Sequence, residues 1–100
     1  MVKHLILWQL RDDLSADEKE SVKQGIKTGL EGLSGEIEGL LHISVQTECL
    51  ATSNADVMLD SDFTDAAALA AYALHPKHVA VADSMVRPFT KARVCMDYEV

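Results

Sequence analysis

Apolar positions alternate with polar ones from the start of the chain, and the stretch VKHLILWQL (residues 2–10) has the two-residue period of a strand. His4, Ile6, Trp8 and Leu10 fall on one face, with Lys3, Leu5, Leu7 and Gln9 on the other, so both faces are largely apolar. The period then lengthens. In LSADEKESVKQGIKTGLEGLSG, Val22, Ile26, Leu30 and Leu33 recur at helical spacing and predict a buried stripe. Ser15 with Glu18 three residues later forms a capping box, and Ser34-Gly35 supplies a stop. Gly25, Gly29 and Gly32 share one side of this helix, which either weakens it or admits a close neighbour.

Alternation returns in LLHISVQTECL (40–50), where Leu41, Ile43 and Val45 oppose His42, Ser44 and Gln46, and then in DVMLDSDF (56–63). The short TSNA connection makes these two strands an antiparallel hairpin, with His42 toward solvent or an interface. TDAAALAAYALH reads as a second helix capped by Thr64, broken at Pro76 and restarted over PKHVAVADSMVRPF. KARVCMDYEV closes the pattern as a strand with Val94, Met96 and Tyr98 on one face. The order β-α-β-β-α-β predicts an α+β, ferredoxin-like protomer with both helices on one face of a four-stranded antiparallel sheet. Its other face would be bare and apolar. A homodimer packed sheet to sheet hides that face, and is the expected assembly.

One hundred residues suit a single domain, 1–100, and 48% hydrophobic with 25% charged residues excludes a disordered chain. A net charge of −7 argues against nucleic acid and anionic membranes as partners. The first apolar run is too short to span a membrane and lacks a cleavage site, so the expected location is cytoplasmic. Cys49 and Cys95, assigned to the second and fourth strands, are expected to be free thiols. No GxSxG elbow, P-loop or dinucleotide fingerprint is present.

The chemistry concentrates in Tyr-x-x-His-Pro-x-His at 72–78, with Lys3-His4 near the start and Asp97-Tyr98 near the end. Together with EIEGLLHISV and DVMLDSDFTDAAALAAYALHPKHVAV, these stretches resemble the stress-responsive dimeric α/β-barrel (Dabb) family over essentially the whole chain. The resemblance implies a dimer that closes a central β-barrel. It does not imply one activity: the family includes plant stress-associated proteins, bacterial members without assigned function and a plant polyketide cyclase that works without a cofactor. Resemblance to the cyclase type carries over to Tyr72, His78 and His4 as pocket residues. A further pocket histidine of that type is absent, with Val57 at the corresponding place. The structural metal held by some plant relatives near the end of the first helix is not carried over, because EGLSGEIEG is only loosely similar.

Read as chemistry, His78 is the candidate base, since neutral imidazole can take a proton near pH 7. Tyr72 is the candidate acid or oxyanion donor, and His4 a supporting polar group. A base with an oxyanion donor suffices for proton abstraction beside a carbonyl, with no cofactor. Trp8 and Met85 are candidates to line a pocket for a small apolar, phenolic or carbonyl ligand, with ordinary core packing as the alternative. His75 is either a ligand contact or the cap of a broken helix. His75 and His78 could chelate a metal with His4, but the proline disturbs their alignment, and no metal is expected. Two further readings stay open: a non-catalytic stress or binding protein, and a relative of cofactor-free monooxygenases.

Overall fold

The computed structural model describes residues 1–100. Four strands form one antiparallel sheet in the order β2-β3-β1-β4: β1 Val2–Leu10, β2 Leu40–Gln46, β3 Val57–Phe63 and β4 Thr90–Glu99. Helix α1 (Ala16–Glu31) connects β1 to β2. Between β3 and β4 run α2 (Ala66–Leu74), α3 (Pro76–Val81), a π-helical stretch (Ala82–Val86) and a 3-10 turn (Arg87–Phe89). The ferredoxin-like order expected from the sequence is the one observed.

Helix α1 starts as its sequence requires. Ser15 Oγ accepts from the Glu18 N–H at 3.1 Å, and the Ser15 N–H donates back to Glu18 Oε1 at 3.0 Å. The helix ends earlier than expected, at Gly32 rather than Ser34-Gly35, because Leu33 and Ser34 donate three residues back, to Leu30 and Glu31, and the chain leaves through a run of turns. The glycine stripe has a packing reason at Gly29, where an added Cβ would lie 2.9 Å from Val81 Cγ1 of α3. The N-cap of α2 is Asp65, not Thr64: its carboxylate accepts from the Ala68 N–H at 2.7 Å.

The core lies between the sheet and the helices. Ile6, Trp8 and Leu10 of β1, Val57, Leu59 and Phe63 of β3, and Ile26, Leu30 and Leu33 from the α1 region are all buried. A register shift between Leu40 and His42 turns Leu41 out to solvent and buries Leu40 instead, correcting the expected face of β2. Cys49 lies in the loop after β2 rather than on the strand, and both cysteines are free.

The two sheet edges differ. On β2, the Val45 N–H donates to Glu31 Oε2 at 2.9 Å and the Val45 carbonyl accepts from Lys27 Nζ at 2.8 Å, so α1 covers part of that edge. No residue of β4 is buried. On the sheet face away from the helices, Leu7, Val94, Met96 and Tyr98 are exposed. No helix is long and apolar enough to cross a membrane.

Candidate functional site

A cavity of about 420 Å³ opens between the helix face of β1, the α2–α3 break and the start of β4. Its size falls within the roughly 300–1,000 Å³ usual for small-ligand sites. The proline break creates the opening. His75 leaves helical geometry at ψ 132°, and its Nδ1 accepts from the Lys77 N–H at 3.1 Å, capping α3. Tyr72 lies in the last turn of α2 on one side of that break and His78 in the first turn of α3 on the other, and their rings pack at a tilt of 37° with centroids 4.3 Å apart.

Tyr72 is only 1% exposed, and its hydroxyl has no hydrogen-bond partner in the protein. Leaving such a group unpaired costs about 1–3 kcal/mol. Burial pushes its pKa from 10.0 up to about 12, so the phenol keeps its proton at neutral pH. The adjacent His78 ring is tied at Nδ1 to the Ala73 carbonyl at 3.2 Å. A carbonyl only accepts, so Nδ1 carries the hydrogen and Nε2 keeps its lone pair. Burial lowers the His78 pKa, an effect the Ala73 bond opposes and the positive charges of Arg87 and Arg93 reinforce. His78 is thus a neutral imidazole with one free basic nitrogen.

His4 enters from β1, buried against the edges of Phe63 and Tyr72, whose ring centroids lie 6.1 and 6.3 Å away. Antiparallel pairing sets His4 opposite Asp97 of β4, and the Asp97 carboxylate bonds His4 Nδ1. This fixes the ring's orientation and leaves its Nε2 free. Cys95 Sγ sits 3.8 Å from the same Nδ1 and donates to Asp97 Oδ1 at 3.5 Å.

His4, Cys95 and Asp97 offer three metal-ligand atoms within 4.8 Å of one another. The donor set fits a hydrogen-bonded triad better than a metal centre. The carboxylate oxygen is already taken by the imidazole and the thiol, so the three side chains satisfy one another.

Of the sequence-based candidates, His78, Tyr72, His4 and Trp8 line this one cavity. His75 does not; it is the helix cap. Met85 does not either: the π-helical stretch turns it toward α1, where it lines a separate groove with Val22 and Gly25, so its assignment to the ligand pocket is corrected. Asp97 enters the sequence reading only as part of the family resemblance, without its bond to His4, and Arg87 and Arg93 do not enter it at all. The alternation of β4 held the signal, because once Val94, Met96 and Tyr98 take one face, Arg93, Cys95 and Asp97 must share the side of His4. A second cavity of about 440 Å³ lies between Leu7 and residues 46–58. It brings no histidine or tyrosine together, and its Asp56 carboxylate is engaged by the Leu10 N–H.

The sheet order and helix placement define a ferredoxin-like α+β protein with one polar-rimmed cavity under its helices. Residues 2–100 match the Stress responsive A/B Barrel Domain, and the chain belongs to this Dabb family. It is similar to a dimeric protein of unknown function with a ferredoxin-like fold from Bacteroides fragilis: 32% identity over 99% of this chain and 95% of that one, TM-score 0.93. A Dabb family protein from Mesorhizobium loti shares 22% identity over 99% of this chain and 95% of its own, with a TM-score of 0.75. The hydroxynitrile lyase of Passiflora edulis shares the fold at 14% identity, over 97% and 90% of the two chains, TM-score 0.71. No curated protein matches the sequence.

Proposed function

We propose that the cavity binds a small organic molecule and performs cofactor-free acid/base chemistry beside a carbonyl, of the cyclase, isomerase or lyase type. The observation that carries this reading is the buried, unpartnered hydroxyl of Tyr72, whose ring packs against a neutral His78. In this mechanism His78 Nε2 removes a proton from the carbon next to the carbonyl. The electron pair moves onto the carbonyl oxygen, where the Tyr72 O–H donates to the developing charge. His4, held by Asp97, is a supporting polar group at the same wall, and Trp8 is part of the apolar floor.

The working unit in this reading is a homodimer. The exposed Leu7, Val94, Met96 and Tyr98 make an apolar sheet face that a second copy would cover, and the Bacteroides fragilis relative is dimeric. Hydrogen–deuterium exchange at the α-carbon of simple aryl ketones, followed by proton NMR, tests the chemistry. Protein-dependent exchange that His78→Ala abolishes with the fold intact supports it. Exchange unaffected by both His78→Ala and Tyr72→Phe sinks it, and leaves the histidine–proline box the role of fixing the helix break.

A further inference from the structure

The chain carries sixteen acidic and nine basic residues, yet the cavity wall has two arginines and neither aspartate nor glutamate. The charges around it divide unequally. Arg87 is paired with Asp83 one helical turn back, and the Asp97 carboxylate is hydrogen-bonded to His4. Arg93 has no carboxylate partner anywhere in the protein. It stands on β4 directly opposite Trp8, at the mouth of the same cavity whose buried Tyr72 hydroxyl is also unpartnered. The Arg93 guanidinium is thus hydrogen-bonded to the Cys95 thiol but meets no carboxylate, and the Tyr72 hydroxyl has no partner at all, in a wall that is otherwise mostly apolar, nine of its fourteen residues being hydrophobic.

We infer that this cavity takes a small monocarboxylate: an apolar body against Trp8 and Leu69, with its carboxylate on Arg93. The inference rests on reading the cavity as a ligand site, and adds the charge class of what enters it. One arginine that meets no carboxylate supplies a single counter-charge, which matches a monoanion better than a doubly charged phosphate. The planar fork of arginine also suits a carboxylate, which it can grip through two parallel hydrogen bonds. The net charge of −7 makes the rest of the surface poor for anions, so preference for a carboxylate has to originate locally.

Trp8 is the only tryptophan and lines the cavity, so its fluorescence reports occupancy directly. The test titrates the full chain with matched pairs of fragments, such as phenylacetate with phenylacetamide and cinnamate with cinnamide, and with phenyl phosphate. The expected result is carboxylates binding about tenfold more tightly than their amides, with the difference lost in Arg93→Gln while amide binding persists. Circular dichroism checks that the variant is folded. Matched pairs that bind equally, a preference that survives Arg93→Gln, or tighter binding of phenyl phosphate would each overturn the carboxylate assignment and leave the cavity reading standing. No response to any fragment would overturn the cavity reading and this inference with it.

Discussion

Strand β1 carries a polar cluster on each of its faces, and the two are built on opposite principles. On the face away from the helices, the Lys3 ammonium lies 2.7 Å from both the Asp60 and Asp62 carboxylates of β3. Those two bonds hold the lysine charged well above its ordinary range. His42 stands 3.6 Å from Asp62 on the same face. Each charged group there lies within ion-pair distance of an opposite one, although Asp62 Oδ1, like the Tyr72 hydroxyl, makes no well-aligned hydrogen bond. On the helix face, one residue away in sequence, His4 is satisfied by Asp97, but the buried Tyr72 hydroxyl is not, and the exposed Arg93 guanidinium meets no carboxylate. A cluster whose opposite charges meet one another within the protein has no need of a ligand. One that leaves buried hydrogen-bonding capacity open destabilises the fold, and is kept where something else completes it.

The contrast can be broken most severely at the open sheet face. Replacing Val94 with Lys and Met96 with Glu removes apolar surface that a dimer would bury, at about 1.5–3 kcal/mol for each side chain. Self-association should weaken at least about a hundredfold in analytical ultracentrifugation. A wild-type monomer at micromolar concentration would remove the dimer from the picture altogether.

On the helix face, His78→Ala should cut any proton-transfer activity by about 10²- to 10⁴-fold, the usual span for a general base. Tyr72→Phe sharpens the comparison further, because activity and stability should move in opposite directions. Deleting an unpaired buried hydroxyl should stabilise the fold by about 1 kcal/mol in urea unfolding, while turnover falls. A loss of stability instead would mean that the hydroxyl is satisfied within the protein.

Titration gives an effect with a definite sign. The native chain keeps the Tyr72 proton until about pH 12, whereas the unfolded chain releases it near 10. The native state therefore binds more protons between those values, and stability should decline as pH rises through that window, by on the order of 2 kcal/mol. Tyr72→Phe should flatten the decline. For His78 the sign reverses at the acid end. Its lowered native pKa means the unfolded chain takes up a proton first below about pH 6.5, so stability falls as pH drops. The smallest effect is expected from Lys3→Met, which should leave fragment binding in the helix-face cavity unchanged within about twofold, since the cluster it disrupts faces the other way.

How far the sequence could be read follows the range of the forces involved. β1 was readable to the residue because its period is local and unbroken, and the α1 capping box and the Pro76 break are equally local. Asp97 as the partner of His4 was not, because it depends on the register of two strands at opposite ends of the fold. Leu41 and Met85 were misplaced for related reasons. A one-residue shift in pairing turned Leu41 out, and a π-helical turn rotated Met85 from the expected helical phase. Nor does any local pattern reveal that an arginine lacks a partner, since that is a property of everything around it.

The bond between His4 and Asp97 spans 93 positions of the chain. During synthesis, β1 leaves the ribosome long before β4, the last strand of the sheet to be made. Until β4 docks, β1 is an unpaired edge and the cavity lacks the wall that carries Arg93 and the residue that orients His4. A nascent chain can therefore form the β2–β3 hairpin and both helical segments without yet having a site. Competence for ligand arrives in one late step, and any lesion that loosens β4 would remove it while most of the fold still stood.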